Sequence, residues 1–146
     1  MANAAGIRPV MAQIGELAEG VEQLKTDVKA IDLKSGMMRT FEAAECAALK
    51  GKLERAKGCL EAARDAKDAD DSGWQAERAA RILNDVAVVL ALESAEFRRE
   101  LIGFRSRRRY DADLARYDRS VERAHETFLT VANLVTAVVT RIPKLG

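Results

Sequence analysis

The stretch LARYDRSVERAHETFLTVANLVTAVVTRI, residues 114–142, decides the fold. In it Leu114, Tyr117, Val121, Ala124, Phe128, Val131, Val135, Val138 and Ile142 recur at alternating steps of three and four, and all nine are apolar. With 48% of the chain apolar, nine hits in one chosen register arise by chance on the order of once in 700, before allowing for the choice of register. Steps of three and four return to one side of an α-helix, so this segment carries an apolar stripe that another element must cover. Pro143 stops it, because proline has no N–H to continue the ladder. A helix is expected over 110–142, with Asp111 as its N-cap.

The same rhythm opens the chain. Val10, Ile14, Leu17, Val21, Leu24, Val28 and Ile31 form an unbroken stripe, and Pro9 suits the first turn of a helix over 9–34. Ser35-Gly36 then offers a C-cap and turn. A second helix is expected over 37–67. Its stripe starts at Met37, Phe41, Ala44 and Ala48 and slips by one residue to Leu49, Leu53, Ala56, Leu60 and Ala63. The alanines on it would let a neighbouring helix approach closely. The clearest loop is Asp68-Ala-Asp-Asp-Ser-Gly-Trp, in which Ser72 and Gln75 match a capping box for a third helix over 73–104. Its segment 82–92 is apolar nearly all round, which predicts that the third helix is the most buried.

The only two prolines, Pro9 and Pro143, stand at the two ends, so nothing between them breaks a helix. The expectation is an all-α fold: a single domain over 1–146, built as an antiparallel bundle of about four long helices with coiled-coil-like heptad packing. Helix 1 has β-branched Ile14, Val21 and Val28 at one heptad position, which suits a parallel dimer. Against that, Asp27 would face Asp32 of a partner helix, and Gly15 and Gly20 weaken an isolated helix. Packing inside the bundle is the better use of that stripe.

Charge is balanced overall, 24 basic residues against 23 acidic, so no global field recruits nucleic acid or membrane. Its distribution is uneven. Between Arg98 and Arg123 nine arginines stand against five acids, and between Glu61 and Asp71 five acids stand against two bases. The bundle topology puts the arginine-rich turn at one end and the acidic turn at the other. The longest uncharged run, 127–140, has 14 residues and is too short for a bilayer, which needs about 20 apolar residues. No apolar leader is visible, so a cytoplasmic location is expected.

Catalytic and metal chemistry find little to work with. Glu122-Arg-Ala-His125 has the Glu-x-x-His spacing of carboxylate-bridged metal bundles, but His125 is the only histidine and those sites need two such motifs. Cys46 and Cys59 fall on one helix about 20 Å apart, too far to bridge one another, and read as small buried hydrophobes. Asp68-x-Asp70-x-Ser72-Gly73 copies the first half of a calcium loop, yet its twelfth position is Ala79 rather than a bidentate glutamate. No phosphate loop, nucleophile elbow or nucleophile–base pair is present. No catalytic residue, metal or cofactor is expected.

Two surfaces remain. The uncharged back of helix 4, carried by Thr127, Thr130, Asn133, Leu134, Thr136, Ala137 and Thr140, has threonine and valine where a solvated face would carry charge; it is the candidate surface for a protein partner or a homo-oligomer. The second surface is the cluster Arg105, Arg107, Arg108 and Arg109, which with Arg98 and Arg99 and the interleaved aromatics Phe97, Phe104 and Tyr110 could take an acidic protein or the phosphates and bases of nucleic acid. The expected function is a non-enzymatic protein-interaction module, a scaffold, adaptor or inhibitor-type partner acting through helix faces. The alternative is nucleic-acid binding through the 98–109 patch. A peripheral membrane role for helix 4 is weaker, because its polar face carries threonine rather than lysine or arginine.

Overall fold

The computed structural model describes residues 4–35, 43–107 and 114–142, with side chains over 6–31, 43–103 and 119–142. It contains four helices, α1 (Ala4–Ser35), α2 (Ala43–Asp65), α3 (Ala69–Arg107) and α4 (Leu114–Arg141), and no strand among the described residues. Helix α1 packs against α2 and α4, and α3 closes the square by packing against the same two. Side-chain contacts fix the directions. Gln13 meets Arg141, Gly20 meets Val131 and Asp27 meets Thr127, so α1 and α4 run antiparallel. The fold is an antiparallel four-helix bundle.

Heptad stripes make the core. All seven expected stripe residues of α1 are buried, as are Val121, Ala124, Phe128, Val131, Val135, Val138 and Ile142 of the α4 stripe. They join stripe residues of α2 and α3 in one continuous cluster. Each fully buried valine, leucine or isoleucine contributes roughly 1.5–3 kcal/mol relative to exposure, so this cluster is the main stabilising term. Leu114 and Tyr117, the first two members of the α4 stripe, lie outside the described side chains.

The helix limits differ from expectation in instructive ways. Helix α1 starts at Ala4, which puts Pro9 in its second turn rather than its first. Proline there removes one internal hydrogen bond, but the added turn buries Ile7 completely, and Ile7 extends the stripe one step before Val10. Among the described residues the stripe of α2 has no slip. Cys46, Leu49, Leu53, Ala56, Leu60 and Ala63 are buried in unbroken three–four rhythm, while Ala44 and Ala48 face solvent. A cysteine was the missing stripe residue. Met37, Phe41, Gly36 and the N-cap candidate Asp111 lie outside the described residues.

Helix α3 begins at Ala69, four residues before the expected start. Its cap is Asp68, whose Oδ1 accepts the Asp71 N–H at 2.8 Å, while the Ser72 N–H donates to the Asp68 carbonyl at 3.1 Å as the first regular helical bond. Asp outcompetes Ser72 as a cap because its carboxylate also meets the positive end of the helix dipole. Ser72 is instead buried, and its hydroxyl donates to the Ala63 carbonyl at 2.8 Å. That carbonyl belongs to the last turn of α2, which has no partner within its own helix. Asp70 and Ser72 therefore sit on a helix, and the calcium-loop pattern is not a loop. At its far end α3 runs through Gly103 to Arg107, three residues beyond the expected limit.

The expectation that α3 is the most buried helix fails. Ala79, Leu83, Val86, Leu90, Phe97 and Leu101 are buried on one side, but Val88, Leu92 and Ile102 on the opposite side are well exposed. Apolar character all round this segment marks an uncovered face.

Candidate functional site

Helix α4 divides its non-core residues between two neighbours. One flank faces α1. There Asp27 is buried, and its carboxylate accepts bonds from the Gln23 amide at 2.8 Å and the Thr127 hydroxyl at 2.6 Å. Thr127 also stands 3.0 Å from the Arg123 carbonyl. A hydroxyl has one hydrogen, and the shorter, charge-assisted bond to Asp27 takes it. Thr127 is thus a fastener between α1 and α4. Leu134 is half-buried against the core.

The other five expected partner-binding residues, Thr130, Asn133, Thr136, Ala137 and Thr140, are exposed. The Thr136 and Thr140 hydroxyls donate one turn back, to the Ala132 and Thr136 carbonyls at 3.1 and 2.7 Å. Their hydrogens are used within the helix, so Thr136 and Thr140 present chiefly their methyl groups to solvent.

The opposite flank of α4 faces α3, and between the two helices lies a groove of about 500 Å³. Its floor is Ala87, Leu90, Ala91, Ser94 and Ala95 of α3 with Phe128, Leu129 and Ala132 of α4, and Arg98 and His125 complete the lining. The apolar run of α3 makes this floor, and its alanines keep it wide. The groove ends where Phe97 fills the interior: its ring meets His125 edge-on at 5.1 Å and Phe128 at 5.5 Å. His125 is packed on an aromatic core, as expected of a flanking histidine, and no group of three metal-binding side chains occurs among the described residues.

Around this groove the surface is apolar. Leu129 is 62% exposed on its α4 side, and Val88 and Leu92 are 58% and 66% exposed on α3. Ala95, in the same helical row as Val88 and Leu92, lines the groove and joins the two areas. Sequence reasoning placed the uncharged face on α4 alone. It did not name Val88, Ala91, Leu92, Ala95 or Leu129: the first three fall in the apolar run over 82–92, which was read as burial, and Leu129 falls in the uncharged run of α4.

The arginine cluster changes character. Arg105 and Arg107 fall in the last turn of α3 rather than in a connecting turn, where the negative end of the helix dipole favours cations. Their side chains, and Arg108 and Arg109 entirely, lie outside the described residues. Arg98 and Arg99 are exposed, and Arg99 is ion-paired with Glu96. The Glu96 carboxyl is held below its ordinary value by that bond, and the Arg99 guanidinium is raised by the same contact.

One further polar cluster ties α1 to α2. The Glu22 carboxylate accepts from Lys50 Nζ at 2.8 Å and from the Cys46 thiol at 3.6 Å, with Lys25 Nζ at 3.9 Å. Lys50 draws the Glu22 carboxyl below its ordinary value. Burial first, and then the Glu22 charge, push the Cys46 thiol up. A nucleophilic cysteine needs the reverse environment. Cys46 and Cys59 are buried, free thiols that pack as small hydrophobes. None of the described helices is long and apolar enough to cross a membrane.

Compared with protein-family models, with curated proteins and with solved structures, the chain matches none.

Proposed function

We propose that this chain is a non-enzymatic protein-interaction module, a scaffold, adaptor or inhibitor-type partner, and that its docking face is the side formed by α3 and α4. The observation that carries the reading is the exposure of Val88, Leu92 and Leu129 around the alanine-floored groove. Large apolar side chains grouped in this way, beside a concave apolar floor, mark a surface that another protein covers. The α4 threonine face, with its hydroxyls turned inward on the helix, continues the same uncharged side. The nucleic-acid alternative draws on the arginine cluster, and the helix dipole already accounts for Arg105 and Arg107 at their positions.

A photo-crosslinking residue in place of Leu129, illuminated in the producing cells, tests the reading. It should give discrete protein adducts that disappear when Leu92 is also changed to glutamate. The same probe at Arg55, exposed on α2, should give none of them. No adduct at position 129, or adducts indifferent to Leu92→Glu, overturns the assignment of this face.

A further inference from the structure

The outer row of α3 carries its own charge code. Asp85, Val88, Leu92, Ala95, Arg99 and Ile102 follow one another at steps of three and four on the side of the helix opposite the buried Leu83, Val86, Leu90 and Phe97. Leu92 lies at the centre. Asp85 is seven residues before it and Arg99 seven after, two turns or about 10.5 Å in either direction. Asp85 makes no ion pair among the described residues, and Arg99 has only its exposed partner Glu96 on the same helix. An exposed pair of that kind contributes little and is readily exchanged for a better one.

From this arrangement we propose that the occupant of the face is a second copy of this chain, bound by α3 against α3 in antiparallel orientation about a two-fold axis through Leu92. The proposal deepens the protein-interaction reading and rests on it. Symmetry and charge together select the partner. An isologous contact sets each residue against the one equally far on the other side of the axis. Leu92 therefore meets Leu92 of the second copy, Val88 meets Glu96 one residue from the small Ala95, and Asp85 meets Arg99 twice over. A parallel contact would set Asp85 against Asp85 and Arg99 against Arg99, which is repulsive. The apolar residues hold the contact together, and the charges fix its direction. From Asp85 to Arg99 the row is acidic at one end, basic at the other and apolar between, and that segment is complementary to its own reverse.

The full-length chain and charge-reversed variants test this by light scattering and sedimentation over a dilution series. The unaltered chain should run as a dimer, and Leu92→Glu as a monomer. Asp85→Arg alone and Arg99→Asp alone should each weaken the dimer more than tenfold, since each sets like charges together twice. An equimolar mixture of those two variants should recover a mixed dimer, because both of its charge pairs are then complementary. All three positions are exposed, so circular dichroism of the variants should match the parent, and their melting should match it at concentrations low enough to dissociate the parent. A dimer that survives Leu92→Glu, or a mixture that associates no better than either variant alone, overturns the proposal. A purified chain that stays monomeric while the probe at Leu129 captures other proteins sinks the second copy as occupant and leaves the protein-interaction reading standing. If neither association is seen, both fall.

Discussion

At the scale of single residues, a close approach of α1 and α4 is set by a missing side chain. A Cβ built on Gly20 would lie 2.8 Å from Val131 Cγ2, well inside van der Waals contact. Valine is stiff at χ1 and its methyl cannot swing aside, so Gly20→Ala must push α1 and α4 apart. Overpacking of this kind costs about 1–3 kcal/mol, against a helix-propensity gain of about 1 kcal/mol for alanine over glycine. Gly15 lies one turn and a residue earlier on the same helix, and nothing stands within 4 Å of its added Cβ. The two substitutions should therefore move stability in opposite directions. Gly15→Ala should raise the urea midpoint by the propensity term, and Gly20→Ala should lower it or leave it level. Equal gains at both sites would show that α1 and α4 do not approach as closely as described. Composition alone marked both glycines as weak points of α1, because glycine's cost in a helix is local. The reason for one of them is a neighbour 111 residues away in sequence, which no local pattern carries.

At the scale of elements, stripes were legible and ends were not. The α1 and α4 stripes could be read residue by residue because a three–four rhythm depends only on the chain itself. The α2 stripe was misregistered because Cys46, a small hydrophobe, was passed over in favour of exposed Ala44 and Ala48. The start of α3 was misplaced for a comparable reason: both Asp68 and Ser72 are good caps, and their local sequences do not say which is buried. Ser72 is claimed by α2, whose Ala63 carbonyl takes its hydroxyl hydrogen. The short 66–68 connection is thereby held from both sides, by Asp68 on the new helix and Ser72 on the old one. Ser72→Ala leaves the Ala63 carbonyl buried without that donor and should cost about 1–3 kcal/mol. Asp68→Ala removes a cap and should cost about 0.5–2 kcal/mol. The two bonds serve different helices and share no atom, so the double variant should lose close to the sum in chemical denaturation. A capping-box role for Ser72 predicts otherwise: the two serine and aspartate losses would then overlap, and Gln75→Ala would cost as much as Ser72→Ala.

For the whole molecule, the decisive property is that one apolar cluster runs through all four helices. The bundle class followed from the sequence, since four stripes with proline only at the ends leave few other ways to hide them. The uncovered side of α3 did not follow, because an all-round apolar segment looks the same whether a fifth helix, a second copy or nothing at all lies beyond it. The placement of four helices in a square, with α3 exposing Val88 and Leu92, shows that none of the described helices covers that side. The shared core also governs unfolding. Helix α1 is fastened to α4 by Asp27 and Thr127, and to α2 by Glu22 and Lys50, while Ser72 joins α2 to α3. No pair of helices can leave without opening the stripes of the others. Unfolding at fixed protein concentration should accordingly be a single transition, with helical circular dichroism and Trp74 fluorescence coinciding. In the monomeric Leu92→Glu variant the calorimetric and van't Hoff enthalpies should agree. Two resolved transitions would mean that α1–α4 and α2–α3 are separate folding units that merely touch. The proposed docking face, which lies across α3 and α4, would then depend on how the two units happen to meet.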